Sequence, residues 1–237
     1  MKVLAMSSSR VGNGGFLQQA IPMVQDVIGR TPCNIAFVPF ASVQRDYELY
    51  TAMVRGALAG TPYTVTPVLP ENALEVIDSA DAIMVGGGNT FKLLHDIYAC
   101  NIYQAIQQKV AGGTPYIGWS AGANVSGRSI STTNDMPIIQ PASFTALGFL
   151  PFQLNPHYIN QTLENHNGET RDQRLEEFVT LNPTVPVVGL PEGTALHLHN
   201  GALHFMGDKD GVLFRYKAKE GPVKSTIAAG ANVSFLL

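Results

Sequence analysis

Pro115-Tyr116-Ile117-Gly118-Trp119-Ser120-Ala121-Gly122 is an apolar run that ends in the pattern G-x-S-x-G. Small residues on both sides of Ser120 let a strand turn sharply into a helix, and the serine at the apex presents its hydroxyl to solvent. Such a turn belongs at the carboxyl end of a strand in an α/β sheet, and the flanking sequence has the alternation this requires. Strand-like runs occupy Lys2 to Met6, Asn34 to Phe40, Tyr63 to Leu69, Ala82 to Val85 and Tyr116 to Trp119. Helix-period stretches lie between several of them, at Phe16 to Ile28, Tyr47 to Leu58 and Phe91 to Val110, the last with a break near Cys100-Asn101. Right-handed crossovers turn this βαβ order into a mostly parallel sheet covered by helices on both faces. After Val187 the texture changes to short runs with turn signals at His199-Asn200-Gly201-Ala202 and Gly207-Asp208-Lys209-Asp210-Gly211. Those read as antiparallel hairpins at a sheet edge.

The 237 residues suit one domain spanning 1–237, and no repeat, low-complexity tract or linker divides them. A formal charge of -3, with only 14% charged residues and no basic run, leaves no electrostatic footprint for nucleic acid or an anionic membrane. A small molecule or peptide is the expected partner. Cys33 and Cys100 match no metal-ligand spacing and read as reduced thiols packed in the core. The first residues read as a strand and lack the apolar segment of a signal peptide, and no window has the ~18 apolar residues of a membrane span. A cytoplasmic, soluble protein is expected.

A serine hydroxyl is inert alone and needs a base, an orienting acid and donors for the negative oxygen. Gly86-Gly87-Gly88-Asn89-Thr90 follows the strand before the serine strand, and bare backbone N–H groups there suit an oxyanion. The N–H groups of Gly88 and Ala121 are the expected pair. Among His95, His157, His166, His197, His199 and His204, the leading base is His157, which follows Leu154-Asn155-Pro156 in a context that favours a loop. His197, His199 and His204 fit alternating strand positions, and His95 fits a helix. Glu192, between Pro191 and Gly193 at the end of an apolar strand, is the economical acid; Asp135 competes with it.

Taken together, Gly118-Trp119-Ser120-Ala121-Gly122, Leu154-Asn155-Pro156-His157, Gly168-Glu169-Thr170-Arg171-Asp172-Gln173-Arg174 and Leu190-Pro191-Glu192-Gly193-Thr194 resemble the peptidase E family of α-aspartyl dipeptidases. The likeness runs over essentially the whole chain. It implies a flavodoxin-like three-layer sandwich with a mostly parallel central sheet, akin to class I glutamine amidotransferases, with serine replacing their cysteine. It also implies a cytoplasmic serine hydrolase that removes N-terminal aspartate from dipeptides without metal or other cofactor. Matching positions make Ser120 the nucleophile, His157 the base and Glu192 its orienting partner; Asp135 stays, on its own sequence context, a further supporting candidate.

An aspartyl side chain calls for a cation, and Arg171, in a polar segment able to cover the substrate, is the expected choice. Arg174 is the nearby candidate for the same role, Asn89 a second donor, and Glu169 or Asp172 an acceptor for the substrate amine. A homodimer is left open. Two competing readings are a cyanophycinase-like hydrolase of β-aspartyl bonds and a non-catalytic, anion-binding flavodoxin-like domain.

Overall fold

In short strands buried on both faces, successive side chains alternate between two cores. β1 (Lys2–Met6) sends Val3 and Ala5 into one core and Leu4 and Met6 into the other. β4 (Ala82–Val85) divides in the same way, Ile83 and Val85 against Ala82 and Met84. These strands belong to a computed structural model that describes residues 1–161 and 167–237, so His166 and the neighbouring Asn165 lie outside the described residues. The remaining parallel strands are β2 (Cys33–Val38), β3 (Tyr63–Pro67) and β5 (Tyr116–Trp119). With the antiparallel hairpin β8 (Ala195–His199) and β9 (Ala202–Met206), they form one sheet in the order β3-β2-β4-β5-β1-β8-β9.

Helices cover both faces. α1 (Ile21–Ile28) and α2 (Tyr47–Ala57) place Val24, Val27 and Val54 in one core. α3 (Ala73–Ser79), α4 (Thr90–Ala99) and α5 (Tyr103–Ala111) place Val76, Ile77, Leu94, Ile97 and Ile106 in the other. The break between α4 and α5 falls where the sequence puts it, with Asn101 at φ 57°. Cys33 and Cys100 are free and partly buried, against the full burial expected.

Three elements depart from the sequence reading. The helix expected from Phe16 begins at Ile21, because Leu17 stands at φ 55° and Pro22, which has no N–H to give, suits the first helical turn. The helix after Gly168 begins before the Arg174 to Val179 stretch whose sequence is helix-like: α7 (Arg171–Leu181) is opened by a capping box in which Thr170 and Gln173 bond each other's backbone N–H. A second sheet also forms, in the order β11-β10-β7-β6, from β6 (Gln153–Pro156), β7 (Val187–Leu190), β10 (Gly211–Lys217) and β11 (Gly221–Ile227). Gly207 to Gly211 therefore carries the chain from one sheet to the other and does not close a hairpin. α7 packs on this second sheet through Leu175 and Val179 against Val187 and Phe214.

The two sheets meet at a four-residue helix, α6 (Ala121–Asn124). A Cβ on Gly122 would stand 2.1 Å from the Val85 carbonyl oxygen, so the backbone of α6 lies directly on that of β4. Gly122→Ala is expected to lower unfolding free energy by about 1–3 kcal/mol, the usual cost of forced overpacking. Gly60→Ala, at a position where nothing lies within 4 Å of the new Cβ, should change it by less than about 0.5 kcal/mol. Urea denaturation of both variants tests the difference.

Candidate active site

Ser120 has φ 53° and ψ -113°, a left-handed conformation that a residue with a Cβ adopts only when its surroundings compel it. Its N–H donates to the Met6 carbonyl at 3.1 Å, and its carbonyl accepts from Asn124 N–H at 2.9 Å. The glycine loop after β4 lies against it: a Cβ on Gly87 would stand 2.9 Å from the Ser120 Cβ. Gly88, at φ 138°, has its Cα turned to the Ala41 carbonyl, where a Cβ would come within 2.4 Å.

Tyr50 joins the two loops. Its hydroxyl donates to the Gly87 carbonyl at 3.1 Å and accepts from the Trp119 indole N–H at 3.1 Å. Burial pushes the phenol up to about 12, so it remains a donor over the working range. Phe37 stacks on Trp119 with ring centroids 5.8 Å apart.

His157 arrives from the second sheet, immediately after β6, and also has positive φ, at 53°. Its backbone N–H donates to Ser7 Oγ at 3.0 Å, and that hydroxyl donates to the Leu190 carbonyl at 2.8 Å. One serine thus ties the exits of β1, β6 and β7 together. His157 Nδ1 stands 2.9 Å from Glu192 Oε1, and both side chains are half-exposed. An ionised carboxylate can only accept, so this bond puts the hydrogen on Nδ1 and leaves Nε2 free to take a proton.

A cavity of about 150 Å³ brings Ser120, Ala121, His157, Asp135 and Arg171 together, with Thr90, Asn124, Thr133, Asn134 and Pro156 completing its wall. Glu192 stands behind His157, outside that wall. Arg171 opens α7 and donates from Nη1 to Asn155 Oδ1 at 3.1 Å; burial, followed by the neighbouring Arg174, lowers its basicity. Tyr158 and Asp172, each one residue beyond a cavity residue, are bonded at 2.5 Å, and Lys224 donates to Asp172 at 2.7 Å. That cluster fixes the spacing of His157 and Arg171.

Other candidates have different surroundings. Asp135 Oδ2 accepts from Thr90 N–H at 2.7 Å, at the positive end of α4, and from Thr133 Oγ1 at 3.2 Å. Asn89 caps α4 by accepting from Lys92 N–H at 3.0 Å, and its amide donates to the Met136 carbonyl at 2.9 Å. Both ends of Asn89 are thereby occupied. Gly88 borders Ser120's loop without lining the cavity. Glu169 faces Arg174 at 3.9 Å on a separate surface, and Asp172 is held by Tyr158 and Lys224. His95 bonds Asp96, while His197, His199 and His204 occupy β8 and β9. Sequence reasoning missed Asn155 and Asn134, whose side chains bond each other at 2.7 Å. Their signal was the polar run Thr132-Thr133-Asn134 and the Asn within the motif that supplied His157.

A backbone-strained serine at the carboxyl edge of a parallel sheet, sharing a cavity with an imidazole whose free nitrogen is an acceptor, has the parts of a nucleophilic hydrolase. Comparison with known proteins gives the family. The model of Peptidase family S51 matches residues 3–206, and the chain belongs to that family. It is 44% identical over 238 residues to Peptidase E of Shewanella amazonensis, covering 100% of this chain and 99% of that one. It is 43% identical over 237 residues to Peptidase E of a Nostoc species, covering 100% and 96%. The crystal structure of a peptidase from an acI-B1 Actinobacterium matches with a TM-score of 0.68 at 19% identity, over 99% of this chain and 96% of that one, a likeness of fold. The chain is therefore a flavodoxin-like α/β peptidase, a hydrolase of peptide bonds. Among the described residues, no helix is long and apolar enough to cross a membrane.

Tyr50→Phe keeps the ring and removes both bonds of the hydroxyl. The expected loss is about 1–2 kcal/mol of unfolding free energy. Emission from Trp119, the single tryptophan, should shift as its N–H loses its acceptor. Fluorescence-monitored urea unfolding reads both.

Proposed function

We propose that the chain hydrolyses dipeptides with an N-terminal aspartate, through an aspartyl ester on Ser120. The observation that carries this reading is the placement of His157, bonded to Glu192 at 2.9 Å on one side and sharing a cavity with Ser120 and Arg171 on the other. Ser120 Oγ attacks the scissile carbonyl as its proton passes to His157 Nε2. Glu192 holds the imidazole in the accepting tautomer and stabilises its cation.

The N–H groups of Gly88 and Ala121 take up the negative charge on the carbonyl oxygen. That role suits Ala121, the first residue of α6, because the first N–H groups of a helix have no partner within it. His157 then protonates the departing amine, the C–N bond breaks, and water repeats the sequence on the ester with Ser120 as leaving group. Arg171 presents its planar fork to the aspartyl carboxylate, and a cavity this small favours a short acidic side chain over a long one.

Purified wild type should cleave Asp-Leu, with Glu-Leu and Ala-Leu poor and β-Asp-Arg untouched; turnover confined to β-Asp-Arg would contradict the reading. Ser120→Ala should lower kcat by at least about 10³-fold, since binding and oxyanion groups alone retain only about 10³–10⁴-fold acceleration over water. Glu192→Gln should cost about 10²–10⁴-fold in kcat through loss of the imidazole's anionic partner. Asp135→Asn should cost less than about tenfold, because its observed bonds are to a helix end. The opposite order for these two acids would reassign the third member of the triad.

A further inference from the structure

A second cavity, of about 390 Å³, lies beside the exit of β1 and is lined by Met6, Ser8, Arg10, Gly193 and Asp208 among others. It shares no lining residue with the cavity that contains Ser120. Strand order places the two on either side of the nucleophile. β5, which delivers Ser120, runs between β4 and β1. The β4 exit reaches the first cavity through Thr90, and the β1 exit forms the second. One of its lining residues, Met6, accepts the Ser120 N–H at 3.1 Å. Its lining also adjoins the supports of His157 and Glu192: Ser7, between the lining residues Met6 and Ser8, accepts the His157 N–H at 3.0 Å, and the lining residue Gly193 follows Glu192.

A peptide lying across Ser120 with its aspartyl side chain toward Arg171 must send its leaving residue the other way. In a dipeptide that residue ends in a free carboxylate. Arg10 is exposed and makes no ion pair among the described residues. We infer that the second cavity is the leaving-residue subsite and that Arg10 binds the α-carboxylate of the dipeptide, selecting free dipeptides over blocked or longer peptides. The larger volume accommodates varied side chains, while Asp208 disfavours an acidic one. This assignment rests on the hydrolase reading above.

The test compares kcat/KM for Asp-Leu and for Asp-Leu amide. Wild type should prefer the free acid about tenfold, as a charge-assisted contact with Arg supplies. In Arg10→Gln the ratio should fall close to one, mainly through a higher KM for the acid, and Arg10→Lys should retain an intermediate ratio. Thermal melts establish that each variant is folded. Calorimetric titration of both peptides into Ser120→Ala, with and without Arg10→Gln, reads the same preference without turnover.

An acid-to-amide ratio near one in wild type, or an equal ratio in wild type and Arg10→Gln, would overturn the inference while leaving the hydrolase standing. A binding preference that depends on Arg10 without any turnover of aspartyl peptides would uphold the subsite and remove the proposed reaction. Absence of both turnover and preferential binding would overturn both.

Discussion

Close approach of backbone to backbone around α6 is the constraint on which the site depends. Gly122 lies against the Val85 carbonyl and Gly118 against the Gly122 carbonyl, where Cβ atoms would come within 2.1 and 2.3 Å. No side chain fits between β4, β5 and α6. The chain can leave β5 only through a tight turn, and Ser120 at its apex takes φ 53°. The strain is local, while the forces that hold it come from two hydrophobic cores and a parallel sheet. A serine on a relaxed loop would lack this fixed aim.

The second sheet supplies the other half. His157 leaves β6, Glu192 follows β7, and Arg171 opens the helix packed on the same sheet. Ser7, at the exit of β1, ties His157 and Leu190 to the first sheet, and Asn155 joins Arg171 to the loop at Asn134. Tyr158, Asp172 and Lys224 complete the frame. Burial, and then the bond to Asp172, raises the Tyr158 phenol, so it remains a donor. Ser120 and His157 therefore belong to different sheets, and their mutual position depends on a few hydrogen bonds as well as on apolar packing.

The central sheet was readable because its strands are apolar runs bounded by glycine and proline, as at Ala82 to Val85 followed by Gly86. The serine turn was readable because steric demand restricts which residues can flank it. β6 was hidden: Gln153-Leu154-Asn155-Pro156 is half polar and ends in proline, yet it is fully buried, with Gln153 and Asn155 bonded to loop partners. α3 was hidden because seven residues are too few to establish a helical period. Asn89 looked available for substrate because a sequence cannot show that its amide caps α4 and reaches Met136. Glu192 and His157 were singled out from local context and the family resemblance, but their 2.9 Å contact depends on the parallel pairing of β6 with β7, which no local pattern announces.

Trapping with hydroxylamine tests the central claim most directly. The proposed ester of aspartate on Ser120 would partition between water and this stronger nucleophile, so aspartyl hydroxamate should form during turnover of Asp-Leu. Its share of product should rise with hydroxylamine concentration, and its formation should be lost in Ser120→Ala. Release of leucine and aspartate with no hydroxamate at any concentration would mean that water attacks the peptide directly, and the strained serine would then not be the nucleophile.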